Sequence, residues 1–399
     1  MPRSTSTISA FLAALEHVAV RRPVTIDGLA GDGTTDDTAA LQAAFSKGGD
    51  ILLPPSRMRI TTSLIINQSN TRVFGSGRSS VLLIKNENTR AITLSGERLS
   101  GVHLAGFEIQ SHASTALSSA GLIHCDGTAI EGLTLEDITF DAPRHGMNAA
   151  FFKSRPKAEV NGLTVRGCKV LGTGRMGFEV IQHENREGIY GREISFIDNS
   201  IKNTGALGHG MAISVSGGLG SVTAARNFLE ENSYCGIELA GPLDAVVVSE
   251  NVFSGATGDL IKASNVGPLS HLSLSNNVSR RGTRGKVQLA QCHGAIIEGN
   301  NLDCSQLELF ADNCTVIGNH IYASSTVALL LNNTSATKVF LNTLSTAQAD
   351  NNWAVLRAYG SRAAGNVARD NSLIKGRGGV YFDQVDGASN NTFIDSILH

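Results

Sequence analysis

The stretch "VVVSENVF", Val246 to Phe253, has a pattern that returns along the chain. Apolar and polar side chains alternate in it, as they do in a β-strand with one buried face. Its sixth position is an asparagine, Asn251. Six more stretches share both features: "ISFIDNSI" at Ile194, "VTAARNFL" at Val222, "LSLSNNVS" at Leu272, "AIIEGNNL" at Ala295, "CTVIGNHI" at Cys314 and "TKVFLNTL" at Thr337.

The asparagines form one register column with intervals of 19 to 29 residues. Intervals of this size are typical of a repeat protein, in which each coil buries its apolar face only against its neighbours. We expect each asparagine to take a left-handed turn between two strands and to bond the same amide one coil away. The column is Asn199, Asn227, Asn251, Asn277, Asn300, Asn319, Asn342 and Asn371, with Ser76, Phe107, Ile138 and Cys168 before it and Asp395 after it.

The N-terminal part contains "GLAGDGTTDDTAALQAAF", Gly28 to Phe45. A glycine-rich segment that leads into a helix can bind phosphate, but a phosphate-binding loop usually has Lys-Ser/Thr at the helix start. Here Asp36 and Asp37 stand at that position. We expect carboxylates there to satisfy the free amides of the helix and to repel an incoming phosphate. The segment therefore predicts no nucleotide site.

The passage from Asp27 to about Gly77 also includes "ILLPPSRMRITTSLII" and "NTRVFGSGRSS". In order and spacing it resembles the N-terminal module of the pectate-lyase-like superfamily of right-handed parallel β-helices. The resemblance covers roughly fifty residues. It implies an architecture and no particular substrate, because that superfamily includes polysaccharide lyases, glycoside hydrolases, epimerases and phage tailspikes.

The predicted fold is all-β, a right-handed parallel β-helix of about a dozen coils with a short α-helical N-terminal cap. Residues 1–50 form the predicted cap and 51–399 the β-helix. Such a cap protects an open end of the core from aggregation. One capping helix is expected around Ile8–Val18, where apolar residues share one helical face, and a second at Asp36–Ser46.

Composition narrows the function classes. The net charge is −2 and only 17% of residues are charged, so we expect neither nucleic acid nor a membrane surface as a partner.

The six cysteines form no C-x-x-C motif and are predicted to be buried free thiols. The apolar stretch Ile8–Leu15 is too short for a clear signal peptide. The predicted location is extracellular or virion-associated.

A second set of strands follows the asparagine turns, often after a glycine: "GMNAAF" at Gly146, "GFEVIQ" at Gly177, "GMAISV" at Gly210, "GIELAG" at Gly236, "KVQLAQ" at Lys286 and "QLELFA" at Gln306. Alternation predicts one outward row of polar side chains suited to a sugar chain. The row is Asn148, Glu179, Ala212, Glu238, Gln288 and Glu308. The predicted substrate-binding residues are Arg144, His145, Asn148, Arg175, His183, Tyr234, Asp259 and Lys262.

Three residues of this face are predicted to be catalytic: Glu179, His209 and Glu238. The glutamates lie two coils apart, which is about 10 Å and near the separation that inverting glycosidases use. His209 stands between them in "ALGHGMAISVSGG", which resembles the Gly-His-Gly segment of polygalacturonase-type hydrolases. The paired aspartates of that family have no counterpart at Phe178-Glu179, and its Arg-x-Lys signature reads Glu238-Leu239-Ala240 here.

A lyase mechanism remains an alternative. It needs a base and a cation that neutralises a uronate carboxylate. The candidate bases are His145, His183, His209 and Tyr234, and the candidate cations are Arg144, Arg175, Arg186, Lys262 and the cluster Arg280–Lys286. The charged insertion "QHENREGIYGRE" at Gln182 lengthens one coil, which is typical of a functional loop. No aspartate cluster is evident, so neither a metal nor another cofactor is predicted.

The predicted function is therefore a polysaccharide-degrading enzyme, a lyase or glycoside hydrolase of which a tailspike-type depolymerase is one form. The alternative is a non-catalytic glycan-binding or structural β-helix protein. The predicted partner is a polysaccharide or oligosaccharide. A homotrimer is left open, although no trimerisation domain is evident after the last coil.

Overall fold

The computed structural model describes residues 23–399 except 87–88, 183–187, 256–257, 265–266, 281–282, 284, 305, 325, 347–353, 378, 395 and 399. The predicted helix at Ile8–Val18 lies outside the described residues. The chain forms a parallel β-helix of about 13 coils with 4% helix, which confirms the predicted fold class. Each coil contributes one strand to each of three parallel faces, here called sheets 1, 2 and 3.

Sheet 1 carries the predicted site. Its strands are Leu64–Ile66, Ile92–Leu94, Gly121–Asp126, Asn148–Ser154, Phe178–Gln182, Met211–Ser216, Cys235–Ala240, Asp259–Ser264, Val287–His293, Leu307–Asp312, Leu329–Asn332, Ala354–Tyr359 and Val380–Val385.

Sheet 2 precedes the asparagine turns. Its strands are Asp50–Leu52, Arg72–Phe74, Arg98–Ala105, Ala129–Glu136, Val160–Arg166, Gly191–Ile197, Leu219–Ala225, Leu243–Ser249, Leu269–Ser275, Ile296–Glu298, Thr315–Ile317, Lys338–Phe340, Val367–Arg369 and Thr392–Ile394.

Sheet 3 follows those turns. Its strands are Asp32–Asp36, Arg57–Ile60, Val81–Ile84, Glu108–Ser111, Thr139–Ala142, Lys169–Thr173, Ser200–Lys202, Phe228–Glu230, Val252–Ser254, Val278–Ser279, Asn301–Cys304, His320–Ala323, Thr343–Thr346, Ser372–Ile374 and Ile397–Leu398.

The asparagine ladder is present at the corner between sheets 2 and 3. From Asn199 to Asn371, the side-chain Nδ2 of each asparagine donates to Oδ1 of the next one at 2.8–3.0 Å. The same Oδ1 also accepts from the preceding asparagine's backbone N–H. Because every ladder asparagine is buried, these bonds satisfy groups that water cannot reach.

The predicted left-handed conformation of the asparagines is wrong. The residue before each asparagine has the positive φ angle, for example Asp198 at 58°, Arg226 at 54° and Glu250 at 57°. Because the preceding residue takes the left-handed conformation and turns the chain, the asparagine side-chain amide can bond along the ladder. The end of the column also differs: Asp395 lies outside the described residues, and strand register places Ser396 opposite Asn371.

The second predicted cap helix forms at Thr38–Lys47. Its Leu41 and Phe45 are fully buried and belong to the core that runs along the β-helix. The carboxylate of Asp37 differs from its expected role, because it accepts from the backbone N–H groups of Ala30 and Gly31 and not from the helix. Asp36 alone accepts from a helix amide, that of Thr38.

All six cysteines are buried and form no disulfide, as predicted. Burial raises the pKa of the Cys168 thiol to about 12, so this thiol is unreactive near neutral pH. None of the described helices is long and apolar enough to cross a membrane.

Candidate functional site on sheet 1

A continuous column of side chains runs along sheet 1, here called the sheet 1 column. Strand register places these residues in line: Phe151, Glu179, Ser214, Glu238, Lys262, Gln288, Glu308, Leu330, Arg357 and Asp383. The neighbours of Glu179 in its strand, Phe178 and Val180, belong to the core. Since successive side chains of a strand point to opposite faces, the column points away from the core.

Glu179 lies next to Phe151 in this column and forms an ion pair with Arg175. Its Oε2 accepts from Arg175 Nη1 at 2.6 Å and from Asn148 Nδ2 at 2.6 Å. Asn148 in turn accepts through Oδ1 from Arg175 and from the Met176 N–H. Arg175 and Asn148 therefore orient the carboxylate, whose side chain is only 6% exposed.

Glu238 lies two coils from Glu179 in the same column. Burial raises the pKa of Glu238, and the negative charge of Glu179 raises it further. The Ser214 hydroxyl on the intervening coil donates to Glu238 Oε2 at 2.8 Å, which lowers the pKa in part. The column thus contains one ion-paired carboxylate and one carboxyl group that retains its proton to a higher pH.

Lys262 follows Glu238 in the column. Its Nζ donates to the Tyr234 hydroxyl at 2.7 Å and lies 4.8 Å from the centre of that ring. Among the described residues it forms no salt bridge, so its charge is available to a ligand. Asp259, at the start of the same strand, has a raised pKa because partial burial disfavours its charged form.

Glu308 is a third carboxylate of the column and is also buried. Its oxygens accept from Lys286, Gln288 and Asn332, each at 3.2 Å. Beyond it lies a cleft of about 360 Å³, here called the Tyr359 cleft. Its lining residues are Gln306, Thr326, Val327, Leu330, Asn332, Arg357 and Tyr359.

The structure brings together Asn148, Arg175, Glu179 and Glu238 and places Tyr234, Asp259 and Lys262 beside them. His209 lies in the exposed turn before Met211–Ser216, on the intervening coil, with a left-handed backbone. Within the described part of the chain, no hydrogen bond joins His209 to either glutamate. Its catalytic role stays a prediction.

Of the other predicted binding residues, the structure describes His145 and Arg144. His145 is fully buried and therefore does not reach the outer face, and among the described residues neither of its ring nitrogens meets a partner within hydrogen-bond distance. Its burial lowers the pKa of the imidazole. Arg144 is exposed in the turn before Asn148–Ser154. His183 and Arg186 fall outside the described residues.

Two positions of the predicted outward row are wrong. Phe151 takes the position predicted for Asn148, and Ser214 that predicted for Ala212, because the column residue follows Gly146 and Gly210 three and two residues later than predicted. The glycine therefore does not mark a constant register. A count back from the ladder identifies Ser214, because Ser214 precedes Asn227 by the same number of residues as Glu238 precedes Asn251. No pattern in the sequence predicts the Tyr359 cleft.

The fold and this face define a parallel β-helix protein with a carboxylate-containing column on one sheet. No protein-family model matches the chain. It is 28% identical over 159 residues to "Depolymerase 1, capsule K30/K69-specific" of Klebsiella phage K5-2. That match covers 39% of this chain and 19% of the phage protein, so the chain spans a minor part of that relative.

Two solved structures show the same fold at low sequence identity. The mannuronan C-5 epimerase AlgE4 A-module of Azotobacter vinelandii has a TM-score of 0.54 and 16% identity, over 92% of this chain and 98% of the module. Tailspike protein 3 of bacteriophage CBA120 has a TM-score of 0.60 and 12% identity, over 100% of this chain and 62% of the tailspike. These similarities, with the coil architecture, confirm the parallel β-helix that the N-terminal resemblance implied.

Proposed function

We propose that this protein is an enzyme that cleaves a polysaccharide bound along sheet 1, by hydrolysis. The observation that carries the proposal is the contrast between Glu179, which is ion-paired with Arg175, and Glu238, whose pKa is raised by burial. A pair of carboxyl groups with different protonation states is the arrangement that a glycosidase requires. Carboxyl groups with perturbed pKa values cluster at functional sites.

Glu238 is the proposed proton donor to the leaving sugar oxygen. Glu179 is the proposed base that activates water, since its second oxygen, Oε1, accepts no hydrogen bond from the described residues. The two carboxyl groups lie two strand spacings apart, about 10 Å. That separation leaves room for a water molecule and favours inversion at the anomeric carbon. His209 is proposed as a third proton-transfer group that approaches from the turn of the intervening coil.

The phage relative supports a glycan substrate, because its name states that it is a capsule depolymerase. From it and from the tailspike similarity we propose that the chain acts in association with a virion. A homotrimer also stays a proposal, which light scattering of the purified protein would test.

Elimination is the second candidate reaction. It is favoured by the 2.7 Å hydrogen bond between Lys262 and Tyr234. Lys262 could neutralise a uronate carboxylate, and the adjacent phenol oxygen, after it loses its proton, could take the proton α to that carboxylate. In that reaction the bond between the β-carbon and the glycosidic oxygen breaks, the departing oxygen takes a proton from solvent, a double bond forms in the product and no water is added.

The test exposes the protein to K30 and K69 capsular polysaccharides, alginate and dextran. New reducing ends without ultraviolet absorbance are expected and indicate hydrolysis. Reducing ends together with absorbance from a new double bond indicate elimination at Tyr234 and Lys262. Binding without new ends overturns the enzymatic proposal and supports the glycan-binding alternative.

A further inference from the structure

The Tyr359 cleft lies on the same face as the proposed catalytic pair but farther along the β-helix. Leu330 in its floor is the direct neighbour of Glu308 in the sheet 1 column. Asn332, another lining residue, donates to Glu308 Oε1. The cleft therefore continues the column that contains Glu179 and Glu238, and a linear polymer that follows the column passes over it.

The lining of the cleft suits an uncharged sugar ring. Tyr359 is 37% exposed and, with Leu330, offers apolar surface to the C–H face of a pyranose. Gln306 and Asn332 contribute amide groups that can bond ring hydroxyls. The guanidinium of Arg357 is engaged with Asp383 through two hydrogen bonds at 2.8 and 2.6 Å, so the charge on this side of the cleft is compensated.

This compensation distinguishes the cleft from the region beside Glu238. There the Lys262 ammonium has no salt-bridge partner among the described residues. A carboxylate on a sugar would meet a cation at Lys262 that has no salt-bridge partner among the described residues, and at Arg357 a cation that is already paired with Asp383. The two places therefore differ in the sugar that they favour.

We propose that the Tyr359 cleft is a second sugar-binding subsite, which takes an uncharged sugar ring and makes the enzyme prefer long substrates. The proposal rests on the function proposed above. Four strand spacings separate Glu238 from Leu330 through Lys262, Gln288 and Glu308. That is about 19 Å. Because one strand spacing is close to the length of one sugar unit, a glycan must extend over about four units to occupy both places.

The experiment compares long and short fragments. Sized fragments of K30 and K69 capsular polysaccharide and of dextran are bound to a Glu238→Gln protein, with and without the further change Tyr359→Ala. Fragments longer than about six sugar units are expected to lose about threefold to tenfold in affinity with Tyr359→Ala, as expected for loss of an aromatic contact. Fragments of two units, bound near the glutamates, are expected to show no change.

A matched control is available on sheet 3. Tyr322 lines another cleft of similar volume, about 370 Å³, which does not belong to the sheet 1 column. Tyr322→Ala is expected to leave the affinity for every fragment unchanged. Equal binding of long fragments by the Tyr359→Ala and parent proteins overturns the subsite, as does an equal loss for long and short fragments or binding of none of the polymers.

Cleavage is measured separately in the protein that retains Glu238. If Tyr359→Ala lowers kcat/KM for long fragments and not for short ones, both the subsite and the enzymatic function are supported. If no fragment is cleaved but affinity depends on Tyr359 and on length, the enzymatic proposal fails and the subsite remains. The two proposals therefore fail in different measurements.

Discussion

Two columns of polar side chains run along this β-helix, and they differ in how their polar atoms are satisfied. In the ladder from Asn199 to Asn371 the same residue recurs, and each side chain bonds its neighbours on both sides. In the sheet 1 column the residue type changes from coil to coil. There Glu238 is largely buried with a single hydrogen bond, from Ser214, among the described residues.

This difference distinguishes polar side chains that stabilise the fold from polar side chains that are kept for function. A buried amide with all partners present stabilises the fold. A partly desolvated carboxyl group with a raised pKa costs stability, because its charged form has lost water without full compensation. Such a cost is typical of active sites, and this is why the sheet 1 column, and not the more regular ladder, is the proposed site.

The largest expected effect tests the functional column. Glu238→Gln and Glu179→Gln are each expected to lower turnover of the cleaved polysaccharide at least about a hundredfold, because each removes a proton-transfer group. The initial rate of reducing-end formation measures this. Glu298→Gln, an exposed glutamate of sheet 2, is the control and is expected to keep wild-type turnover. Full activity in both site variants would contradict the proposal that Glu179 and Glu238 transfer protons.

His209 provides the next test of the same column. His209→Ala is expected to lower turnover about a hundredfold if the imidazole transfers a proton. His320→Ala, an exposed histidine of sheet 3, is the matched control. The pH dependence of kcat/KM distinguishes the roles, because a residue that only contacts substrate leaves its shape unchanged. An unchanged pH profile of kcat/KM together with a small loss of turnover would show that His209 only contacts the substrate.

The structural column is tested by stability. Asn277→Ala is expected to lower the free energy of unfolding by about 1–3 kcal/mol, since the neighbouring amides of Asn251 and the Val248 carbonyl lose buried hydrogen bonds. Chemical denaturation measures this change. Asn301→Ala, at an exposed asparagine that directly follows the ladder's Asn300, is expected to stay within about 0.5 kcal/mol of wild type. Equal stability of the two variants would contradict the ladder.

The smallest expected effect concerns the stability of the functional column against pH. The folded-state pKa of Glu238 is above its unfolded value, so the folded protein binds this proton more tightly. The stabilising contribution is full at low pH and is lost as the pH rises through the folded pKa. Glu238→Gln is therefore expected to be more stable than wild type above neutral pH, by about 1 kcal/mol or less, because glutamine carries no charge to desolvate.

Thermal unfolding at several pH values measures this difference. The gap between Glu238→Gln and wild type is expected to close as the pH falls to about 4, where wild-type Glu238 is protonated. A gap that widens on acidification would show that the pKa is lowered and would remove Glu238 as the proton donor.

The sequence predicted the outward glutamates better than it predicted their surroundings. Alternation within "GFEVIQ" and "GIELAG" placed Glu179 and Glu238 correctly, because strand alternation is local. The position of Ser214 was missed, since it depends on where a strand begins after a turn of variable length. The burial of His145 was missed for a related reason: neighbouring coils cover it, and a single coil does not show this.

The amino-acid sequence by itself determined the β-helix, its coil period and the ladder, because each rests on a pattern that recurs within every coil. Only the tertiary structure decided which residue beside each asparagine takes the left-handed conformation and which side chains donate hydrogen bonds to Glu179. It also decided that Leu330, Arg357 and Tyr359 from successive coils share one cleft. Contacts between coils depend on register, and register is set by the stacking of whole coils rather than by any one stretch of chain.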